Sequence, residues 1–378
     1  MKVLLLAPMG SVHRQHNKAN ISALKQLGAE ISLLANFTTA FPREKQNAEF
    51  VKKCISDNVN IINIPFKRGG FFYNIKYIPK VVSIIRSENY NIVHAHTETG
   101  GLFLRIAMIF LPKGIKYVYT AHGMSFWKGS PLKTKIIYKI IERWICSGMD
   151  MNIGINKEEV SYLKEWNEFT ASYVHGVGID LSKFRTSSHS NIRQEFNVQT
   201  EDLLIVSVGE LDDNKNHVTV IKALSTIKQR NFKYLICGVG PNKELLENEA
   251  ARLLIKDNVI LAGYRTDISD ILNAADIFVF PSFHEGMPVS ALEAMACGLP
   301  VVCSEIRGNV DIVQDGINGF LFAPTNSILL SQRLLMLMDD KQLRKSMGKK
   351  NETIVGDFSI ESVAEELHSI YFSLDKSE

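Results

Sequence analysis

The chain has 378 residues, of which 46% are hydrophobic and 22% charged, and its net charge is +3. This composition is ordinary for a soluble globular protein, and the length corresponds to about two domains with full cores. No apolar run is long enough to span a membrane, and the run Val3–Ala7 is too short for a signal peptide, so we expect a buried first strand there.

Strand and helix patterns alternate through the first half. The chain order is a strand at Val3–Ala7, a helix around Asn17–Leu27, and strands at Ile31–Ala35, Ile92–Ala95 and Tyr117–Thr120. Short β-branched or aromatic runs that each end in a polar loop are typical of a parallel sheet with helices on both faces. Ligands of such sheets bind outside the carboxyl ends of the strands.

The same alternation resumes after a polar, Ser-rich stretch at Arg185–Asn191, which we interpret as a linker. The second set of predicted strands is Leu203–Val208, Tyr234–Cys237, Val259–Leu261, Ile277–Phe280 and Val301–Cys303. The sequence therefore predicts an α/β protein with two Rossmann-like, doubly wound domains that face one cleft, at residues 1–185 and 186–356. The remaining residues, 357–378, have helical periodicity.

Charge is unevenly distributed along the chain. Residues 1–180 hold 23 Lys and Arg against 13 Asp and Glu, whereas the remainder holds 20 against 27. This asymmetry indicates that the first half meets an anionic partner.

The five cysteines are scattered, and none forms a Cys-x-x-Cys pair. This usage is typical of a reduced, cytoplasmic protein whose cysteines are core residues.

Two acids, Glu285 and Glu293, stand eight residues apart across a Gly-Met-Pro turn that precedes a predicted helix. The amides of Gly286 to Val289 form an anion site at the start of that helix, with Met287 and Val289 as the expected donors because Pro288 has no N–H. A diphosphate flanked by two carboxylates suits a nucleotide-sugar. Taken alone, however, the pair also fits an amphipathic helix with two solvated glutamates.

The surrounding motifs resemble a known family. The segment FPSFHEGMPVSALEAMACGLPVV, followed by Asp315-Gly316-x-Asn318-Gly319, is similar to the donor site of retaining family 4 glycosyltransferases of the GT-B fold. The resemblance implies that Glu285 holds hydroxyls of the donor sugar and Glu293 those of the ribose. It also implies that the C-terminal helix crosses back to the first domain and that Gly263 and Tyr264 border the base.

Charge neutralisation at the diphosphate is assigned to Lys215, which follows Gly209 after the strand Leu203–Val208. The family commonly carries an arginine just after that glycine, but this chain has Glu210 there. Arg307 is a candidate for the missing charge. A solvated surface lysine is the alternative interpretation of Lys215.

His122 in the sequence TAHG follows a predicted strand, and the resemblance places it beneath the donor sugar. Gly10 permits close approach to phosphate. His13 and His16 follow the first strand, in a loop that lies between donor and acceptor in the family, so we predict an acceptor-side role for them.

His94 and His96 form a His-x-His pair. We expect one core-facing and one cleft-edge histidine rather than a metal site. The chain lacks Asp-x-Asp, the acidic pattern that usually holds a divalent ion on a diphosphate, which favours transfer without a metal or other cofactor.

Two segments combine aromatic and basic residues: 66–86, with Lys67, Arg68, Lys76, Lys80 and Arg86, and 128–143, with Lys128, Lys133, Lys135, Lys139 and Arg143. Such a pattern suits an anionic membrane surface, although an amphipathic helix with a solvated basic face has the same pattern. No nucleic-acid partner is predicted.

The sequence thus predicts a retaining hexosyltransferase that uses a nucleotide-sugar, with UDP as the expected nucleotide. It most resembles bacterial enzymes of exopolysaccharide or capsule assembly, whose acceptors are polyprenyl-diphosphate-linked, and this implies a cytoplasmic protein at the inner face of the membrane. We expect front-side displacement, because Glu285 is assigned to sugar hydroxyls and no other carboxylate is a better nucleophile. Two alternatives remain: a sugar-nucleotide 2-epimerase, and an inactive nucleotide-sugar-binding subunit, which Glu210 favours.

Overall fold

The structure is a computed structural model that describes residues 1–38, 44–67, 71–127, 129–185 and 191–376. The chain forms two compact units, one from residues 1–178 together with 360–378 and one from residues 179–359. Most of the proposed linker, and the basic residues Arg68 and Lys128, lie outside the described residues.

The first unit is built on a seven-stranded parallel sheet with the strand order β3-β2-β1-β4-β5-β6-β7. Its strands are β1 (Lys2–Met9), β2 (Glu30–Asn36), β3 (Asn60–Asn63), β4 (Ile92–His96), β5 (Lys116–Thr120), β6 (Met151–Gly154) and β7 (Ala171–Tyr173). Its helices are α1 (Gly10–His16), α2 (Lys18–Gln26), α3 (Glu44–Ser56), α4 (Phe71–Asn74), α5 (Ile78–Glu88), α6 (Thr97–Ala107), α7 (Leu132–Cys146) and α8 (Lys157–Asn167). Strand β4 is buried along its whole length, as a central strand covered on both faces must be.

The second unit has a six-stranded parallel sheet with the order β10-β9-β8-β11-β12-β13. Its helices begin with α9 (Ser182–Arg185) and α10 (Ile192–Glu195). Its strands are β8 (Leu203–Val208), β9 (Phe232–Cys237), β10 (Val259–Gly263), β11 (Ile277–Phe280), β12 (Val301–Ser304) and β13 (Gly319–Phe322). The other helices are α11 (His217–Ser225), α12 (Lys243–Arg252), α13 (Ile268–Ala274), α14 (Val289–Ala296), α15 (Asn309–Ile312), α16 (Ser327–Asp339) and α17 (Lys341–Ile354).

The last helix, α18 (Ile360–Lys376), belongs to the first unit. It packs on α2, and its apolar face, which includes Val363, Leu367 and Tyr371, joins the buried cluster around Val3 and Leu5. These side chains recur at helical spacing, which explains why one face of α18 is buried.

The architecture confirms the prediction of two doubly wound parallel sheets. In each sheet the strand order reverses at one place, between β1 and β4 in the first unit and between β8 and β11 in the second. Open α/β sheets bind ligands at the carboxyl ends of the strands beside such a reversal. Ligand-binding residues are therefore expected in the loops after β1, β4, β5, β8 and β11.

Candidate functional site

The reversal point of the second sheet brings Lys215 and Glu285 together. Lys215 lies in the loop after β8, and Glu285 lies in the loop after the neighbouring strand β11. The lysine Nζ is 2.6 Å from Glu285 Oε1, and both side chains are largely buried, with 20% and 14% of their surface exposed. The aliphatic part of the lysine side chain lies close over Gly209, where a Cβ would stand 3.2 Å from Lys215 Cδ.

Two asparagines fix the loop that carries Lys215. Asn214 is bonded to both main-chain groups of His284: its Nδ2 donates to the carbonyl and its Oδ1 accepts from the N–H, each at 3.1 Å. Asn216 adopts a left-handed conformation (φ 53°), and its Nδ2 donates to the carbonyls of Pro281 and Pro324. The lysine is thus held between two residues that tie its loop to the strand end before Glu285. Neither asparagine was predicted from the sequence to have this role.

Arg307 lies beside the same glutamate. Its guanidinium Nε donates to the Glu285 carbonyl at 3.0 Å, and the residue is 6% exposed. The next residue, Gly308, has φ 80°, and a Cβ there would come within 2.6 Å of the Gly286 carbonyl. A glycine is therefore required for the arginine's loop to approach the turn after Glu285. The structure thus brings a second cation to the Lys215–Glu285 pair.

The Gly-Met-Pro turn leads into α14 as the sequence predicted. Met287 and Pro288 are buried, and Glu293 is half-buried one turn into the helix. The Val289 N–H donates to the Met287 carbonyl at 3.0 Å. Of the two amides expected to meet a diphosphate, this one is already used within the turn.

The remaining candidate residues of the second unit are Gly263, Tyr264 and Glu210. Gly263 ends β10 with φ 70°, and its carbonyl accepts a bond from the Gly238 N–H. Tyr264 is half-buried, while Glu210 is exposed. The adjacent Arg265 is held by Asp267 and Glu195, and these two carboxylates raise the pKa of its guanidinium. Its charge is therefore already balanced by acids of this unit.

In the first unit, His122 stands two residues beyond the end of β5 with φ 59°, an uncommon conformation for a residue with a side chain. Its loop is fastened by two carboxylates. The buried Glu159 accepts a bond from the Met124 N–H at 2.9 Å, and Glu98 accepts a bond from the Ser125 hydroxyl. Burial raises the pKa of Glu98. Neither carboxylate was predicted from the sequence, although Glu159 stands three residues after Asn156, the helix cap of α8.

The His-x-His pair is more deeply buried than expected. His94 and His96 are both fully buried, and His96 is the last residue of β4, at the carboxyl end of the strand. They lie on one face of β4, as residues two apart in a strand must, with their ring centroids 4.1 Å apart. His96 in turn contacts His122, with His96 Nδ1 and His122 Nε2 2.9 Å apart. In the described residues, no group of three His, Cys, Asp or Glu side chains is placed to hold a metal ion.

His13 and His16 lie on α1, next to the same edge. The ring of His16 is 4.7 Å from that of His122, and that of His13 is 6.4 Å from that of His96. His13 Nε2 must donate to the Leu34 carbonyl, so its Nδ1 accepts from Asn17. Burial lowers the pKa of His13 and of His16 to about 4.

Gly10, the first residue of α1, has another evident reason to be glycine. A Cβ there would meet the Phe37 ring at 2.5 Å. The candidate residues of the first unit therefore converge on the ends of β1, β4 and β5, which is the edge that the strand order indicates.

Comparison with known proteins decides the family. The model described as Glycosyltransferase Family 4 matches residues 15–183, and the model described as Glycosyl transferases group 1 matches residues 188–353. The chain belongs to the family 4 glycosyltransferases. Together the two matches cover nearly all of both units, and this glycosyltransferase accordingly catalyses glycosyl transfer.

Individual relatives of this glycosyltransferase match over most of its length. A glycosyltransferase of Bacillus subtilis named EpsD is 27% identical over 379 residues, which cover 98% of this chain and 96% of the relative. The UDP-Gal:α-D-GlcNAc-diphosphoundecaprenol α-1,3-galactosyltransferase of Escherichia coli is 28% identical over 332 residues, with 85% of each chain covered.

A solved structure agrees on the fold. Anabaena HepE in complex with UDP-glucose superposes with a TM-score of 0.81 at 19% identity, covering 99% of this chain and 100% of that one. The fold is therefore GT-B. Within the described residues, no helix combines the length and the apolar character needed to cross a membrane.

Proposed function

We propose that this glycosyltransferase moves a hexose or N-acetylhexosamine from a UDP-sugar to a lipid-linked glycan in bacterial cell-surface polysaccharide synthesis, with retention at the anomeric carbon. The Lys215–Glu285 pair at the reversal point of the second sheet carries the proposal. It places a cation and a carboxylate in direct contact. A nucleotide-sugar, in which a diphosphate is joined to a sugar, needs both groups side by side.

The two side chains have separate roles in this mechanism. Lys215 stabilises the negative charge that grows on the departing diphosphate, and Glu285 accepts bonds from sugar hydroxyls. Arg307, whose Nε is 3.0 Å from the Glu285 carbonyl, supplies the second positive charge in place of the arginine that Glu210 replaces. The leaving diphosphate itself takes the acceptor's proton, so no protein nucleophile and no metal ion are needed.

The names of relatives support the choice of substrates. The galactosyltransferase of Escherichia coli acts with a UDP-linked sugar on a diphosphoundecaprenol-linked one, and HepE was crystallised with UDP-glucose. We extend the two substrate classes, a UDP-sugar and a lipid-linked glycan, to this chain.

Helix α7 supports an acceptor at a membrane surface. Five large apolar side chains on one side of this helix are exposed: Leu132, Ile136, Ile137, Ile140 and Trp144. Lys135 and Arg143 lie beside this stripe, and Lys139, on the same row of the helix, is paired with Glu165 at 3.0 Å. An exposed apolar stripe flanked by cations fits the headgroup region of an anionic bilayer. We propose that α7 holds the enzyme at the inner face of the cell membrane, where its acceptor lies.

Transfer is tested with a panel of UDP-sugars and a short polyprenyl-diphosphate-linked glycan, with the product anomer assigned by NMR. We expect an α-linked product from an α-linked donor, and no transfer by Glu285→Ala. An inverted product would refute retention. Unchanged glycan output from cells that carry Glu285→Ala would instead favour the inactive binding subunit, and conversion of a UDP-N-acetylhexosamine without acceptor would favour the epimerase.

Membrane attachment is tested by sedimentation with vesicles that contain anionic lipid. The double variant Ile136→Asp/Ile140→Asp should lose binding, whereas Ile328→Asp, an equally exposed isoleucine of the second unit, should not. Equal binding by the two variants would refute a docking role of α7.

A further inference from the structure

His96 and His122 form a histidine pair at the carboxyl edge of the first sheet. Strands β4 and β5 are neighbours, and their register sets His96 opposite Thr120. His122 lies two residues beyond, and its left-handed backbone brings Nε2 to 2.9 Å from His96 Nδ1. Two nitrogens at this distance share one hydrogen, because one of them must donate and the other accept.

The proton count of the pair has a chemical consequence. Two neutral imidazoles carry two N–H protons, and one of them occupies the shared bond. The outer nitrogens are His96 Nε2 and His122 Nδ1. The second proton must lie on the outer nitrogen of the ring that accepts the shared hydrogen bond, so the two outer nitrogens together offer one donor and one acceptor. In the described part of the chain, neither outer nitrogen has a hydrogen-bond partner, although both atoms are buried. Buried polar atoms without partners are costly, and they mark a place that a ligand or water completes.

The pair is neutral at the pH of a cytoplasm. Burial is the main reason that the pKa values of both histidines lie well below the ordinary value, and the neighbouring histidines lower them further. A neutral pair keeps both the donor and the acceptor, whereas an imidazolium would present donors only.

The ring of His96 is itself immobilised from below. It packs against the ring of His94 with the two planes tilted by 30°. Both nitrogens of His94 are bonded, Nδ1 to the Tyr371 hydroxyl at 2.7 Å and Nε2 to the Thr120 hydroxyl at 2.8 Å. Tyr371 donates its own proton to Asn20, so His94 must donate through Nδ1 and accept through Nε2. His94 is thus fixed in one tautomer and supports the His96 ring.

The backbone of His122 is fixed by other groups. Glu159 and Glu98 hold the residues that follow it, Met124 and Ser125. These contacts determine where the Cα of His122 lies but make no bond to its ring, which also packs against the ring of His16 at a centroid distance of 4.7 Å. In the described residues, the bond from His96 is the hydrogen bond that fixes the ring.

We propose that His96 is the positioning residue for His122. Its hydrogen bond sets the rotation of the His122 ring and makes one of the two outer nitrogens a donor and the other an acceptor. These two nitrogens then bind hydroxyls of the transferred sugar. The inference rests on the proposed function for the identity of the ligand. The control of the His122 tautomer by His96 is independent of it.

Three variants test the pair. In His96→Asn the side-chain amide takes the place of Nδ1 and keeps a hydrogen bond to His122. In His96→Phe an aromatic ring still packs against His94, but it has no polar atom. We expect kcat to fall about 100-fold in the Phe variant, the effect of displacing a substrate-contacting group by ~1 Å, and less than tenfold in the Asn variant. Should phenylalanine prevent folding, His96→Ala takes its place.

A second measurement separates positioning from structural damage. In protein labelled with ¹⁵N-histidine, the resonances of His122, assigned from their absence in His122→Asn, report its tautomer. They should shift in His96→Phe and stay close to wild type in His96→Asn, while the dissociation constant for UDP alone is unchanged in both. Wild-type kcat or unshifted His122 resonances in the Phe variant would overturn the proposal. Absence of transfer by the wild-type protein would count against the proposed function. The tautomer spectra would still decide whether His96 positions the His122 ring.

Discussion

Lys215 and Glu285, which are 70 residues apart in sequence, form a largely buried ion pair of 2.6 Å across the reversal point of the second sheet. The pair joins a group assigned to the diphosphate with a group assigned to the sugar. The ammonium has further N–H donors and the carboxylate a second oxygen, so both side chains can bind a donor while their charges remain paired.

Replacement of the lysine should reduce turnover. Lys215→Met keeps the aliphatic chain that lies over Gly209 but removes the charge, so kcat should fall about 100- to 1,000-fold, the usual effect of removing one group that stabilises developing charge. Steady-state kinetics measures this effect. Lys222→Met, an exposed lysine on α11, is the matched control and should retain wild-type turnover. Equal activity of the two variants would contradict the role of Lys215.

The two glutamates should separate sugar from nucleotide. We expect Glu285→Gln to weaken binding of a UDP-sugar but not of UDP, because its carboxylate is assigned to sugar hydroxyls. Glu293→Gln should weaken both, because that carboxylate is assigned to the ribose. Calorimetric titration of each variant with UDP and with UDP-sugar distinguishes the assignments. A loss of UDP affinity in Glu285→Gln alone would reverse them.

The hydroxyl of Tyr371 should contribute to stability. It is buried between His94 and Asn20 and bonded to both at 2.7 Å. Tyr371→Phe leaves these two polar groups without that partner, so the free energy of unfolding should fall by about 1–3 kcal/mol. Urea denaturation measures the loss, and Tyr138→Phe, at a half-buried tyrosine of α7, serves as the control. Equal stabilities would show that other groups satisfy His94 and Asn20.

Acid should destabilise the protein through its buried histidines. Burial lowers the pKa of His13, His16 and His217 to about 4 and that of His94 to about 3. Between pH 6.5 and about 4 these histidines are protonated in the unfolded chain but neutral in the folded chain. Stability therefore falls as the pH falls. The loss is at most about 1.4 kcal/mol per pH unit for each histidine. Above pH 6.5 these groups contribute no slope.

Urea denaturation at several pH values tests that window. His217→Gln should lower the slope of the unfolding free energy against pH by the contribution of one histidine. A dependence equally steep in the wild-type protein and in His217→Gln would assign the acid sensitivity to other groups.

The sequence predicted the strands well, because strands that are buried on both faces are continuous apolar runs. Leu203–Val208 and Ile277–Phe280 have the predicted bounds. The contacts between loops were harder to predict, because they depend on which strands are neighbours. His96 and His122 were both predicted to lie near strand ends. Their contact follows only from the adjacency and register of β4 and β5, which leave no periodic signal in the sequence.

Buried carboxylates were missed for a related reason. Glu159 reads as a polar residue in the first turn of α8, and its spacing from Asn156 predicts a helix cap. That it also holds the Met124 N–H, 35 residues away, is a tertiary fact. Arg307 was considered only as a substitute charge, and the requirement for glycine at position 308 appears only when the Gly286 carbonyl is in place.

The return of α18 to the first unit has a consequence for biosynthesis. Residues 360–376 supply part of the core around Val3 and Leu5, yet they emerge from the ribosome after the entire second unit. At the 5–20 residues per second of translation, about ten seconds or more separate the end of the first stretch from the arrival of α18. Throughout that interval the nascent first unit lacks α18, so we expect the apolar surface around Val3 and Leu5 to stay open to chaperones that bind during translation.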